Sequence, residues 1–228
     1  MNKTKITWTD ESWNPVTGCK HKCSYCYARR MSARFGRSWE PQIHPERLEQ
    51  PLKNKKPKKI FVGSMADLFG NWVPDDWIME VLNIVEQCPE KTFIFLTKNP
   101  ERMVDIPWPS NAWIGASTVN QKGLKRARSL FDAVAPVRFI SAEPLLEPVR
   151  LNKKDAFDWV IIGAQTGPKK FQPPQVWVDD LTEDARCINA AVFYKPNLDC
   201  FKINPIEEFP IIQPSAVSRQ LTLDSVQA

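Results

Sequence analysis

The sequence lacks the features of a membrane or secreted protein. Its 228 residues contain no uninterrupted run of about 18 apolar residues, the length that a membrane-spanning helix needs. The first residues, MNKTKITWTDESW, are polar where a secretory signal peptide carries its apolar region. We therefore expect no membrane partner and a cytoplasmic location.

Histidine is scarce, and the cysteines are unevenly placed. His21 and His44 are the only two histidines of the chain. Three of the six cysteines fall within GCKHKCSYCY at 18–27, with no fourth cysteine nearby. In a reducing compartment cysteines are thiols or metal ligands rather than disulfides. The scattered Cys88, Cys187 and Cys200 are expected to be ordinary buried thiols.

The formal charge of +5 is carried partly by the run KNKKPKK at 53–59. A run of this kind either contacts a phosphate backbone or forms a solvated loop. The composition, with 43% hydrophobic residues, suits a soluble globular protein with a substantial core.

Short apolar runs recur along the chain and predict a parallel sheet. They are KIFVGS at 59–64, TFIFLTK at 92–98, AWIGAST at 112–118, VRFISAE at 137–143, DWVIIGAQTG at 158–167 and AVFYK at 191–195, preceded by a first strand near ITWTDESWNPV. Continuous apolar runs are typical of strands buried on both faces.

Helical patterns separate several of these runs. They lie at 27–35, 75–88, 120–135 and 173–187, whereas the proline-rich stretch 143–158 predicts no full helix. Alternating strands and helices indicate an α/β fold, and about six to seven parallel strands indicate an open, partial (β/α) barrel. We expect one domain over residues 1–203 and an irregular or wrapping tail over 204–228.

The spacing C-x3-C-x2-C of Cys19, Cys23 and Cys26 indicates a metal site with three thiolates. Closed zinc sites and closed iron–sulfur clusters usually take four protein ligands. Structural zinc completed by His21 or His44 stays an alternative, but the spacing favours a [4Fe–4S] cluster with one iron left open. An open position can bind a substrate or cofactor.

The loop CKHKCSYCY resembles the signature of the radical S-adenosylmethionine (radical SAM) superfamily, which has an aromatic residue, here Tyr25, before the last cysteine. Its other segments look like an uncharacterised, phage-protein-like branch of unknown function: WNPVTGC at 13–19, FVGSMADLF at 61–69, FLTKNPERM at 95–103, WIGAST at 113–118, ISAEPLL at 140–146 and DWVIIGAQTG at 158–167. The resemblance covers residues 6–200.

This resemblance implies the cofactors and the reaction. The three cysteines would hold a [4Fe–4S] cluster whose open iron binds S-adenosylmethionine. An electron from a donor such as a ferredoxin or flavodoxin would then generate a 5′-deoxyadenosyl radical that takes a hydrogen atom from a substrate. The substrate stays open between a nucleic-acid base, a peptide and a small metabolite.

Polar residues at the predicted strand ends are the candidate cofactor-binding residues, because parallel barrels build their sites at the carboxyl ends of strands. The resemblance places Ser64 and Asp67 near the methionine amino group. Further candidates for contacts to the cofactor or substrate are Tyr25, Ser117, Thr118, Glu143 and Gln165, with Lys98 and Lys195 as candidates for an anionic substrate.

A second hypothesis comes from another class of protein. The chain would then be a non-catalytic, zinc- or cluster-containing protein that binds nucleic acid through KNKKPKK and through RRMSARFGR at 29–37.

Overall fold

A computed structural model describes residues 1–53 and 55–211. Ten strands were assigned, namely β1 (Asn2–Lys3), β2 (Glu11–Trp13), β3 (Val16–Thr17), β4 (Gln42–Ile43), β5 (Lys59–Val62), β6 (Thr92–Thr97), β7 (Ala112–Ser117), β8 (Val137–Ala142), β9 (Trp159–Ile162) and β10 (Ala191–Tyr194). The helices are α1 (Tyr27–Arg34), α2 (Pro45–Leu48), α3 (Asp75–Glu86), α4 (Gln121–Ala127) and α5 (Gln175–Cys187). Short 3₁₀ turns occupy Gln50–Lys53, Pro100–Met103, Arg128–Asp132 and Asp199–Lys202.

The main sheet has eight strands in the order β1-β2-β5-β6-β7-β8-β9-β10. All neighbours pair in parallel except β1 and β2, so seven strands form a continuous parallel array. The array is open, because β1 and β10 are its two edges. The predicted open (β/α) barrel with six to seven parallel strands is therefore confirmed.

Both faces of the sheet are buried, in two apolar clusters. Residues such as Ile60, Phe93 and Phe95 belong to a large cluster that includes residues of α3, α4 and α5. The alternate residues belong to a smaller, aromatic-rich cluster on the concave face, formed by Trp8, Phe61, Ile94, Trp113, Val137, Phe139, Trp159, Ile161 and Phe193. This alternation follows from the period of two along a strand.

The predicted helices form with shorter bounds in most cases. In α3, predicted over 75–88, the apolar stripe of Ile78, Val81, Leu82 and Val85 is buried. The helix is not capped by an aspartate side chain, since its N-cap is Pro74. The helix predicted over 120–135 ends at Ala127 and continues as a 3₁₀ turn, and the stretch 143–158 contains no helix, as predicted.

The described part of the tail packs against the sheet. Trp159 Nε1 donates to Glu208 O at 2.8 Å, and the Phe209 ring lies 5.4 Å from the Trp159 ring. Lys59 Nζ lies 4.5 Å from the centroid of the Phe209 ring. Residues 212–228 lie outside the described part of the chain, so the division at residue 203 stays a prediction. Among the described residues, every helix is too short or too polar to cross a membrane.

Candidate functional site

One cavity opens at the carboxyl ends of the parallel strands, with about 1100 Å³ of empty space including its mouth. Cys19, Cys23 and Cys26 line one side of it. Residues at the ends of six strands line the rest, namely Gly63, Ser64, Thr97, Lys98, Ser117, Ser141, Glu143, Ala164, Gln165 and Lys195. The fold thus brings the cysteine loop and most of the predicted polar strand ends to one place.

The cysteine loop lies between β3 and α1 and is held closely at its start. Gly18 has a φ of +89°, which favours glycine, and its N–H donates to Met65 O at 2.9 Å. A Cβ at this position would lie 2.3 Å from Glu40 O. At the other end of the loop Cys26 caps α1, where its Sγ accepts a hydrogen bond from Arg29 N at 3.4 Å.

The surroundings of Cys19 disfavour its thiolate form. Burial, together with the nearby Asp67, Cys23 and Cys26, raises the pKa of Cys19 to about 11, although a backbone hydrogen bond from His21 opposes the rise. All six cysteines are free thiols. Outside the loop, Cys88 is buried as predicted, but Cys187 is exposed and Cys200 is partly buried, so the prediction of three buried thiols is wrong for these two.

Asp67 connects the cysteine loop to the strand ends. Its Oδ2 accepts hydrogen bonds from His21 Nε2 at 2.7 Å and from Lys98 N at 2.9 Å. Its Oδ1 accepts from Thr97 Oγ1 at 2.7 Å and from Phe69 N at 3.1 Å. Burial would raise the pKa of Asp67, but these hydrogen bonds outweigh burial and hold the pKa below its ordinary value. Four protein donors thus already satisfy the carboxylate.

Ser64 is positioned by a residue that the sequence reasoning missed. Asn14 Oδ1 accepts from Met65 N at 2.9 Å and from Ser64 Oγ at 3.1 Å. The carbonyl of Ser64 accepts from the Tyr27 hydroxyl at 2.9 Å. Asn14 stands within WNPVTGC, so its place in that motif was the signal that it belongs to the site.

Two lysines line the cavity, each beside another candidate residue. Lys195 Nζ lies 3.3 Å from Glu143 Oε1, and Lys98 Nζ lies 5.2 Å from the centroid of the Tyr25 ring. Burial raises the pKa of the Tyr25 hydroxyl, and Lys98 opposes that rise. Lys195 therefore offsets the negative charge of Glu143, and Lys98 packs its ammonium group near the Tyr25 ring.

Of the two predicted candidates at the end of β7, Ser117 lines the cavity and Thr118 does not. Ser117 lines the cavity and is paired in register with Ser141 of β8. Thr118 is fully buried and is not among the described residues that line the cavity. Neighbouring residues of a strand point to opposite faces, so only one of the two can face the concave side.

Ser141 is a second lining residue that the sequence reasoning did not single out as a cofactor contact. It is fully buried, and its Oγ has no hydrogen-bond partner among the described residues. Buried hydroxyls are normally paired, so an unpaired one that lines a cavity marks a contact point for a ligand. Ser141 is two residues after Phe139 on the same strand, so the period of two predicts that both face the concave side.

The apolar floor of the cavity was also missed. Trp8, Phe61 and Leu96 line the cavity and belong to or pack against the concave-face cluster. The cavity is therefore polar around its mouth and apolar at its base, as ligand sites commonly are.

His44 and the basic run make contacts outside the cavity. His44 Nε2 bonds to Thr17 Oγ1 at 2.8 Å, and His44 is not among the described residues that line the cavity. The run at 53–59 leads into the amino end of β5, opposite the end where the cavity opens. Within it Lys58 pairs with Glu11.

Comparison with known proteins gives the family of this chain. The profile of a family described as "Protein of unknown function (DUF5131)" matches residues 3–202. The chain belongs to the DUF5131 family. No curated protein matches this DUF5131 chain.

Solved structures of spore photoproduct lyase share the fold of this DUF5131 protein. The complex of that lyase with dinucleoside spore photoproduct has a TM-score of 0.52 at 13% identity, over 85% of this chain and 57% of the other. A variant of the lyase with bound AdoMet and dinucleoside spore photoproduct has a TM-score of 0.52 at 11% identity, with the same coverage. The DUF5131 chain thus spans little more than half the length of these structures.

Proposed function

We propose that this DUF5131 protein is a radical SAM enzyme that binds a [4Fe–4S] cluster through Cys19, Cys23 and Cys26. The observation that carries the proposal is that these three thiols and polar ends of six parallel strands line one cavity. The bound cluster would supply the electron that cleaves S-adenosylmethionine to methionine and a 5′-deoxyadenosyl radical.

The donor set fits a cluster better than a single ion. Among the described residues, no three His, Cys, Asp or Glu side chains are grouped closely enough to hold one metal ion. A four-iron cluster with three protein ligands takes one thiolate at each of three irons, so its ligands need not converge on one point. His21 Nε2 is bonded to Asp67, so only Nδ1 of this histidine would be available as the fourth ligand of a structural zinc.

The residues of the chain would bind and orient S-adenosylmethionine beside the thiols. Ser64, Ser117, Glu143 and Gln165 offer hydrogen-bonding groups to its methionine and ribose ends, and Tyr25 offers a ring beside its adenine. Asp67, whose oxygens are filled by protein donors, would hold the loop and strand ends rather than the amino group. Thr118 does not line the cavity, so we assign it no contact with the cofactor.

The apolar floor would exclude water from the base of the cavity. Trp8 and Phe61 are almost fully buried there, and a dry base protects a reactive species from side reactions. The substrate would enter through the mouth. A nucleic-acid base is the substrate class that the bound dinucleoside of the structural neighbour favours.

Anaerobic reconstitution with iron and sulfide tests the proposal. We expect a brown protein with four irons and four sulfides that converts S-adenosylmethionine to 5′-deoxyadenosine under a chemical reductant. Replacing any one loop cysteine by alanine should abolish this conversion. Cys187→Ala is the matched control, because Cys187 is exposed and distant in sequence from the loop.

The opposite outcome would support the non-catalytic alternative. A colourless protein with one zinc per chain, and salt-dependent binding of nucleic acid, would overturn the enzyme proposal.

A further inference from the structure

Helix α1 exposes an apolar stripe to solvent. Tyr27, Met31 and Phe35 are 47%, 41% and 62% exposed. They are spaced at i, i+4 and i+8, so they lie on one face of the helix and its C-terminal end. Single exposed apolar residues are ordinary, but a row of three on one short helix is a contiguous patch, and such patches mark interaction sites.

The surroundings of the stripe carry charge of one sign. Residues 19–39 contain six lysines and arginines and no aspartate or glutamate: Lys20, Lys22, Arg29, Arg30, Arg34 and Arg37. Lys20 is paired with Glu40, while the Arg37 guanidinium lies 5.6 Å from the centroid of the Phe35 ring. Aromatic residues, methionine and arginine are the types enriched at protein interfaces. The patch is therefore complementary to an acidic protein surface.

The position of the patch relates it to the thiols. Helix α1 begins directly after Cys26, and Tyr27 at its first turn lines the cavity. Eight residues of α-helix extend about 12 Å. The stripe therefore starts beside the proposed cluster and ends about one helix length away from it. Electron transfer slows steeply with distance, so a donor docked here would be well placed.

We propose that the exposed face of α1 docks an acidic one-electron carrier protein, such as a flavodoxin. This inference rests on the proposed function and assigns the surface at which its electron donor docks. The carrier is oxidised by one electron for each S-adenosylmethionine that is reductively cleaved, and no proton or group passes between the two proteins. Complementary charges would steer the encounter, as in other transient redox complexes.

The same patch would suit nucleic acid less well. A single strand stacks successive bases on aromatic faces, and Met31 interrupts the two aromatic residues of the stripe, Tyr27 and Phe35. Helical spacing of apolar side chains is instead the pattern by which helices contact protein partners.

The experiment compares two reductants on the reconstituted full-length protein. Reduced flavodoxin is the protein donor, and photoreduced deazariboflavin is a small uncharged reductant that needs no docking surface. The variants are Arg34→Glu with Arg37→Glu, and separately Met31→Ser with Phe35→Ser. The matched control is Lys53→Glu with Lys55→Glu, which makes the same charge change on two exposed lysines before β5.

Both α1 variants should lower the bimolecular rate of cluster bleaching by flavodoxin about tenfold or more at low salt. They should also weaken flavodoxin binding, while the rate with deazariboflavin stays unchanged. Equal flavodoxin rates in the α1 variants and the lysine control would overturn the docking proposal. So would loss of single-stranded oligonucleotide binding with normal flavodoxin reduction. If the wild-type protein binds no cluster, neither reductant will bleach any cluster absorbance. That result would overturn the proposed function itself.

Discussion

Replacement of Asp67 by asparagine tests how the cysteine loop is held. The change keeps the size of the side chain but replaces one acceptor oxygen with an NH2 donor. One amide end can still accept from Thr97 and Phe69, but the other then faces the backbone N–H of Lys98. Two donors cannot pair, so the partly buried Lys98 N–H is left without a partner.

The expected loss of stability follows from these contacts. A hydrogen bond to a charged group contributes roughly 1.5–3 kcal/mol, and an orphaned buried donor costs about 1–3 kcal/mol. His21 can adapt by changing tautomer, so the main loss is at Lys98. We therefore expect Asp67→Asn to lower the free energy of unfolding by about 3 kcal/mol.

Urea unfolding at neutral pH measures this loss. With a slope of about 3 kcal/mol per molar, the midpoint should fall by about 1 M. Asp105→Asn, at an exposed aspartate, is the control and should leave the midpoint within error. Equal midpoints for the two variants would refute the assignment of Asp67 as the residue that joins loop and strands.

The pH dependence gives an independent check. The pKa of Asp67 in the folded protein lies below its ordinary value of 3.8. Its ionised form therefore contributes stability that is fully present above pH 3.8 and is lost as the pH falls through the folded pKa. The difference between wild type and Asp67→Asn should accordingly shrink below about pH 4. A difference that grows on acidification would contradict this reasoning.

Three further predictions concern the loop, the cavity and the tail. Gly18→Ala should lower the melting temperature and iron content far more than Gly36→Ala, because both have positive φ but only the first meets Glu40 O; similar effects would contradict the close packing of the loop. Ser141→Ala should weaken S-adenosylmethionine binding in titrations without destabilising the fold, whereas Thr118→Val should leave binding unchanged; the reverse result would assign the contact to Thr118 instead. A chain ending at residue 204 should unfold at lower urea than one ending at 211, because it loses the contacts of Glu208 and Phe209 to the sheet; equal stability would mean that this segment does not support the fold.

The sheet could be predicted from the sequence because its signal is local. Six of the seven parallel strands lie in short apolar runs rich in β-branched or aromatic residues, and β2 lies in the predicted first-strand region ITWTDESWNPV. Helix ends were harder, because they depend on tertiary contacts. Asp75 lies at the start of α3 but pairs with Arg102 across the fold, and Pro74 takes the cap position.

The site was predictable in part for the same reason. Cys19, Cys23 and Cys26 are close in sequence, so their spacing alone predicts a shared ligand. Asp67 and Asn14 act across 46 to 51 residues, through contacts that only the fold reveals. The period of two could have separated Ser117 from Thr118, since counting from Trp113 on the concave face reaches Ser117.

That same period explains why the cavity changes from apolar to polar along the sheet. On β8 the concave-face positions run from Phe139 to Ser141 and then to Glu143 after the strand, and on β7 they run from Trp113 through Gly115 to Ser117. Gly115 leaves room for the Phe139 ring, which a Cβ would approach to 2.4 Å. The aromatic rings thus occupy the concave face below the cavity, and the polar strand ends lie above them. Because Cys19, Cys23 and Cys26 line the same cavity as these strand ends, a ligand bound there would lie beside the thiols, which is the geometric basis of the proposed site.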